Sequence, residues 1–437
     1  MEVKLETPGG LVRQVRVRIP ADKVARAYDE QIRKIASRAR LPGFRPGKAP
    51  LNVVQKQYGD SARMDVIQDL VRGSYPDAVT QAGVNPASAP SFEVTAEKPG
   101  EPLEYVARFE VYPEIKLRGL DQLKIEKPQV DVTEADVTKV VDSLKKARRA
   151  LEPVERAARE GDVLQVDFEG SLDGQPFAGG KGENVEIEIG QKQFLPQLEQ
   201  SLVGRRTDDA YDTAVDFPPD YGAENLRGKT AQFRVKVRSV REPKLPEVDA
   251  EFLKAHGVDE SAGLAGLQGK VRAALETERD KAIQNRLKQQ VLDQLLEANP
   301  IDVPQALVAS ETQRLREETA ARFNAGKLKP EQKQKLLPDE MLAPQARRRV
   351  SLGLLIGEVI KQKQVQFDQA RLDRLLDEVS ADYQQPEQIR QYYRSRPDLL
   401  QGLRAIVLEE QMVDALISGV TPTEKALSLD ELLGSKK

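Results

Sequence analysis

Few residues in this chain can do chemistry, and what is missing narrows the choice first. Among 437 residues there is no cysteine and a single histidine, so thiolate nucleophiles, disulfides and cysteine-ligated zinc or iron–sulfur centres are excluded. His256 has no second histidine or cysteine to complete a zinc set, so the expectation is a capping or solvent-exposed histidine, no metal and no cofactor. Gly222 to Gly228-Lys229-Thr230 and Gly263 to Gly269-Lys270 each put five residues between the glycines where a phosphate-binding loop has four. Arg347-Arg348-Arg349 reads as the solvated side of a helix, and nothing supports DNA recognition. What remains is GFRPGKAP, residues 43–50. Its glycines permit positive φ, Pro46, Pro50 and the preceding Pro42 restrict the backbone, and Phe44, Arg45 and Lys48 are projected from a stiff loop. An aromatic beside two cations suits a partner that offers phosphates next to an apolar protein pocket, as a ribosomal surface does. The alternative, a Pro/Gly turn whose Phe44 tucks into the core, stays open.

The elements that must position this loop follow from periodicity. Val15, Val17 and Ile19 alternate as in a strand that Pro20 ends. A helix follows, with Asp22 as N-cap and Val24, Tyr28, Ile32 and Ile35 on one face; Leu41-Pro42-Gly43 breaks it. Residues 60–82 read as a second amphipathic helix through Met64, Ile67, Leu70 and Val71, and 103–111 as a returning strand. Residues 1–112 are thus expected to form a small α+β domain. Residues 113–158, with Pro113, Pro128 and Pro153 around a charged helical stretch, read as a linker. From 159 to 243 the pattern has period two, in Val163, Val166 and Phe168, in Val185, Ile187 and Ile189, and in Phe233, Val235 and Val237, with a hairpin turn at Asp173-Gly174. From 244 to 437 helical spacings dominate, punctuated by prolines and without a fixed repeat.

Charge agrees with this division of labour. Arg13 to Lys48 holds 11 Lys/Arg against three Asp/Glu, and Glu160 to Glu242 holds 10 against 16, although the whole chain carries only −3. A basic head can bind a polyanion such as RNA, which an acidic middle would repel. The first residues lack a signal-type apolar core and no stretch approaches 18 apolar residues, so neither secretion nor a membrane span is expected.

The run Gly43-Phe44-Arg45-x-Gly47-Lys48-x-Pro50 resembles the ribosome-docking loop of bacterial trigger factors. The resemblance implies Phe44, Arg45 and Lys48 as contacts to a ribosomal protein beside the polypeptide exit tunnel, with rRNA as a further partner. DFEGSLDGQPF (167–177) and FPPDYGAENLRGK (217–229) are similar to FKBP-type prolyl isomerases. This implies an FKBP-like antiparallel β domain with a short helix, and a pocket built from Phe168, Phe177, Leu195, Leu198, Tyr221, Leu226 and Phe233. Tyr221 through its hydroxyl and Leu195 through its amide would meet a substrate carbonyl. The helical C-terminal region is similar to trigger factors in length, placement and helicity, which implies an all-α domain that holds nascent or unfolded polypeptides loosely.

Three departures cluster together. Pro196-Gln197-Leu198-Glu199 stands where the family has P-G-F-E, Ser201 where glycine is usual, and Ala178 where an acidic residue is common. An aliphatic floor loses ring stacking against proline, which implies reduced efficiency. The expectation is a cytoplasmic, ribosome-associated chaperone with prolyl-isomerase activity, with homodimerisation off the ribosome left open. The alternatives are an isomerase whose other domains only recruit substrates, or a binding scaffold with a weakly active pocket.

Overall fold

The computed structural model describes every residue except 43, 45, 46, 192, 193, 324–326, 382 and 435–437. The chain begins with β1 (Glu2–Gly9), β2 (Val12–Ile19), α1 (Ala21–Arg38), α2 (Leu51–Ala82), β3 (Ser91–Ala96) and β4 (Leu103–Glu110). It continues through β5 (Glu126–Gln129), α3 (Glu134–Ala147), β6 (Ala150–Pro153), β7 (Val163–Leu172), β8 (Gln175–Glu188), α4 (Pro196–Leu202), β9 (Ala210–Asp216) and β10 (Thr230–Lys244). Helices follow: α5 (Ala250–Ala255), α6 (Gly263–Ala298), α7 (Gln305–Arg322), α8 (Pro330–Leu336), α9 (Asp339–Lys363), α10 (Gln369–Ala381), α11 (Pro386–Ser395) and α12 (Pro397–Ser418). The last elements are β11 (Thr423–Ala426) and α13 (Leu429–Leu433). The chain divides into two compact units, residues 1–127 with 285–424, and residues 128–284 with 425–437.

In the first unit, β1, β2, β4 and β3 form an antiparallel sheet in that order. Alternation in β2 and β4 puts Val15, Val17, Ile19, Leu103, Tyr105, Ala107 and Phe109 on one buried face. Ile67, Val71 and Ala78 of α2 cover that face, and the hydroxyls of Ser74 and Tyr105 meet across it at 2.8 Å. The other end of α2 packs on α1 through Val54 and Ala62 against Ile32 and Ala36. Further on, α7 and α9 share a core of Val308, Leu315, Ala320, Leu342 and Ala346, and Leu372, Leu376, Leu403 and Val407 join α10 to α12. The segment ahead of β5 lies extended along α6, where Gln294 and Asn299 bond both the amide and the carbonyl of Lys124 and Arg118.

The second unit is built on the sheet β6-β10-β7-β8, with β9 also pairing β10. Ala231, Phe233, Val235 and Val237 of β10 alternate into a core closed by Leu198 and Leu202 of α4. Asp173 and Gly174 both have positive φ between the paired residues Leu172 and Gln175, the two-residue hairpin expected from the letters. A second core joins α3, α5, α13 and the start of α6 through Val137, Val141, Phe252, Leu267, Val271 and Leu429. Thr133 and Asp136 cap α3 reciprocally.

Several elements differ from the sequence expectation. Pro20 occupies the N-cap of α1, and Asp22 lies in the first turn, where it pairs with Arg26 one turn on. Helix α2 starts at Leu51 instead of residue 60, and Met64 is exposed. The buried face of α2 changes along its length, toward α1 at one end and the sheet at the other, so no single apolar stripe marks it. Arg348 pairs with Asp293, and Arg349 donates to Glu311 and Glu318 at 3.2 and 3.1 Å, so two of the three arginines tie helices together.

Leu202 is fully buried between α4 and the sheet, so Leu202→Ala should cost about 3 kcal/mol through lost contact and the cavity left behind. In hydrogen exchange, the slowest amides of β7 and β10 should then lose roughly two orders of magnitude of protection.

Candidate functional site

Three strands, a helix start and a folded loop converge at one end of the second sheet around a cavity of about 480 Å³. The core-facing alternation of β10 brings Phe233 to this end, and β7 and β8 contribute Phe168 and Phe177. Pro196, whose missing N–H costs nothing in the first turn, starts α4, with Leu195 as the N-cap residue. The Leu195 carbonyl accepts from the amides of Leu198 and Glu199. The buried Glu199 carboxylate accepts from the amides of Gly190 and Phe194 at 3.1 and 3.0 Å, drawing the preceding loop onto the helix. After β9, the amide of Phe217 donates to the Lys229 carbonyl and that of Tyr221 to the Pro218 carbonyl, while Arg227 Nε donates to the Tyr221 carbonyl.

Six aromatic rings line the cavity: Phe168, Phe177, Phe194, Phe217, Tyr221 and Phe233. They meet edge to face, with Phe177 centred 6.0 Å from both Phe217 and Phe233, Phe168 6.0 Å from Phe233, and Phe217 4.7 Å from Tyr221. This is the arrangement that ring quadrupoles favour. Missing side chains make room for it. A Cβ on Gly170 would lie 2.6 Å from the Phe233 ring, and one on Gly182 2.7 Å from that of Phe168.

All seven residues expected to form the pocket, Phe168, Phe177, Leu195, Leu198, Tyr221, Leu226 and Phe233, line this cavity. Sequence reading missed Phe194, Phe217 and Ala223, although Phe217 opens the quoted FPPDYG run and Phe194 adjoins Leu195. It also missed the tethering role of Glu199, whose partners are backbone amides that leave no trace in the letters. Leu198 does supply an aliphatic floor and Ala178 part of the rim. Gln197 bonds Asp216 on β9, and Ser201 bonds Tyr211 on the same strand.

The GFRPGKAP loop joins α1 to α2. Gly47, at φ 74°, is so close to α1 that a Cβ would lie 2.8 Å from the Ser37 carbonyl oxygen, which restricts the position to glycine. Its amide donates to the Ala39 carbonyl, and that of Phe44 to the Leu41 carbonyl. Phe44 is 40% exposed and Lys48 is exposed, so Phe44 does not serve as core. Arg45 lies outside the described residues. His256 sits at the C-cap of α5 with its ring 4.7 Å from that of Phe252.

"Bacterial trigger factor protein (TF)" describes the family matched by residues 1–144, and the C-terminal part of the same family matches residues 263–418. Residues 154–238 match "FKBP-type peptidyl-prolyl cis-trans isomerase". The trigger factor of Thioalkalivibrio sulfidiphilus is 41% identical across 100% of this chain and 99% of its own, and that of Ectopseudomonas mendocina 40% across 99% and 98%. The chain belongs to the trigger factor family. A solved structure of the trigger factor chaperone shares its fold over 96% of this chain and 99% of its own, with a TM-score of 0.52 at 21% identity. This member is therefore a trigger factor chaperone with an FKBP-type domain, a mixed N-terminal region and a helical C-terminal region. No helix among its described residues is long and apolar enough to cross a membrane.

The loop that carries Phe194 is also anchored from behind, because the Ile189 amide donates to the Asp162 carbonyl. Burial pushes the Asp162 carboxyl up. The paired Arg156 guanidinium, with bonds of 2.5 and 2.9 Å, and the Arg159 amide outweigh burial and hold it below the usual aspartate range. A carboxyl depressed in the folded state adds stability above its unfolded pKa, near 3.9, and loses it as pH falls through the folded value. Asp162→Asn should therefore be less stable than the parent at pH 7, and the gap should narrow below about pH 4. Urea unfolding of both proteins across that range measures it.

Proposed function

We propose that this chaperone docks on the ribosome near the exit tunnel in the cytoplasm, holds nascent and unfolded polypeptides, and isomerises X-Pro bonds in its FKBP-type cavity. Residues 1–112 would dock, 113–158 connect, 159–243 isomerise and 244–437 supply most of the polypeptide-binding surface. The isomerase reading rests on one observation: among the described residues the cavity is lined by six rings and by aliphatic groups, without an ionised side chain. The reaction needs no acid, base or metal. A planar X-Pro amide twists at the barrier and loses its resonance, so a site that binds the twisted form better than the planar one lowers that barrier. An apolar cavity favours the less polar twisted amide. Tyr221 through its hydroxyl, and Leu195 through its amide at the start of α4, would orient the substrate carbonyls.

Docking is supported by the exposure of Phe44 and Lys48 at the end of the most basic segment. Replacing Phe44, Arg45 and Lys48 by alanine should abolish co-sedimentation with ribosomes while the circular dichroism spectrum stays unchanged. Parent-like co-sedimentation would refute the assignment.

Isomerisation and holding should separate. Phe233 is buried against neighbouring rings, and its truncation would cost about 3 to 5 kcal/mol, so the informative change is Tyr221→Ala with Phe177→Leu. This variant should lose catalysis of proline-limited refolding and keep its suppression of aggregation.

The aliphatic floor gives a third expectation. Aromatic contact is worth about 0.5 to 1.5 kcal/mol beyond burial, and about 1.4 kcal/mol is a tenfold rate change if realised only at the barrier. Leu198→Phe alone should raise isomerisation several-fold in the same refolding assay. Gln197 is best left in place, because its side chain is bonded on both sides to Asp216.

A further inference from the structure

One wall of the cavity is fastened from outside the stretch that resembles an isomerase. Phe194 and Leu195 line the cavity, and Phe194 stands edge-on to Phe168 with 6.4 Å between ring centroids. The segment leading to them starts at Glu188, the last residue of β8. Its carboxylate accepts from the Arg149 guanidinium at 3.1 and 2.5 Å, one bond to each oxygen, which is the strong fork-to-fork form of an ion pair. Arg149 follows α3 and immediately precedes β6, so it lies outside residues 154–238, which match the FKBP-type family. The strands β6 and β8 are the two ends of the order β6-β10-β7-β8, so this pair ties strands that are not neighbours in the sheet. Both side chains are shielded, at 27% and 13% exposure, and salt and water compete weakly for the pair.

The same carboxylate organises the turn that follows it. Glu188 Oε1 also accepts from Gln191 Nε2 at 3.1 Å, and the Glu188 carbonyl accepts from the Gln191 amide at 3.4 Å. Between these residues, the Ile189 amide donates to the Asp162 carbonyl, and the amide of Gly190, at φ 96°, donates to the Glu199 carboxylate. Glu199 accepts from the Phe194 amide as well. The approach to the wall is thus held at its start by Arg149 through Glu188 and at its end by Glu199.

We propose that Arg149 is a positioning residue of the isomerase cavity: by holding Glu188 it sets how the turn Glu188–Gln191 leaves β8, and so where Phe194 and Leu195 meet the other walls. The inference rests on the isomerase reading above. Without the guanidinium, a carboxylate only 13% exposed is left without its cation and relieves that cost by turning toward water, which releases its hold on Gln191. Because α3 shares a core with α5, α13 and the start of α6, the wall takes its position from the helical core of the second unit as well as from its own sheet.

The test uses the full chain with labelled phenylalanine, and a proline tetrapeptide whose cis/trans isomerisation gives kcat/KM. Arg149→Gln removes both charge and fork, and Arg149→Lys keeps the charge without the fork. Lys244→Gln is the control, because it breaks the exposed pair with Glu152, 3.1 Å long on the β6/β10 ladder, and does not touch Glu188. Expected for Arg149→Gln is a fall of about threefold to tenfold in kcat/KM, with the Phe194 ring signals displaced and those of Phe217 in place. Arg149→Lys should recover part of both effects, and Lys244→Gln should match the parent. Parent-like kcat/KM and parent-like Phe194 signals in Arg149→Gln would overturn the inference and leave the isomerase reading intact. A fall matched by Lys244→Gln, or one in which every phenylalanine ring of the cavity shifts together, would also overturn it, by showing that the pair only stabilises the sheet. If Arg149→Gln does not fold, Arg149→Lys decides by the same two readouts. No isomerisation by the parent would overturn the isomerase reading, and this inference with it.

Discussion

An apolar cavity at the end of a small sheet tends to close, because every group facing it forgoes dispersion contact on one side. What keeps about 480 Å³ open here is ring packing. Phe177 leans edge-on against both Phe217 and Phe233, Phe233 against Phe168, and Phe168 against Phe194, so each ring blocks the next from collapsing inward. That packing requires Gly170 and Gly182 in the strands beneath, where a methyl group would displace a ring. The strands, in turn, need the core of Val166, Ile187, Val235 and Val237 to hold their register. Sheet, glycines and rings form one dependent series, and the shape of the cavity rests on all three.

The loop between α1 and α2 uses the same economy of space at a different place. A second close backbone approach sets Gly47 against Ser37, while a small core of Ile32, Ala36, Val54 and Ala62 lies between α1 and α2. Phe44 is left exposed at the surface beyond these helices. The long α2 then couples this tip to the sheet by burying one side at each end.

Much of this was legible from local pattern. Val166 and Phe168, and Phe233, Val235 and Val237, announce β7 and β10 by period two, Asp173-Gly174 announces the hairpin after β7, and the cavity residues follow from the family resemblance. Three things were not legible, for separable reasons. Residues 51–59 of α2 were hidden because its buried face turns from one partner to another, which erases a single stripe. The edge strands β1 and β3 are exposed along most of their length and lack alternation. The pairing of β11 (Thr423–Ala426) with β5 (Glu126–Gln129) joins segments far apart in the chain, which no local window contains.

The central claim is that the ring-lined cavity recognises proline, and the most direct measurement is NMR on the full chain with labelled phenylalanine and tyrosine. A proline-containing peptide is titrated in, followed by the same peptide with alanine in place of proline. The account predicts shifts concentrated on Phe168, Phe177, Phe194, Phe217, Tyr221 and Phe233 with the first peptide and largely absent with the second. Equal shifts for both peptides, or shifts confined to aromatic residues outside the cavity such as Phe323 and Tyr392, would contradict it.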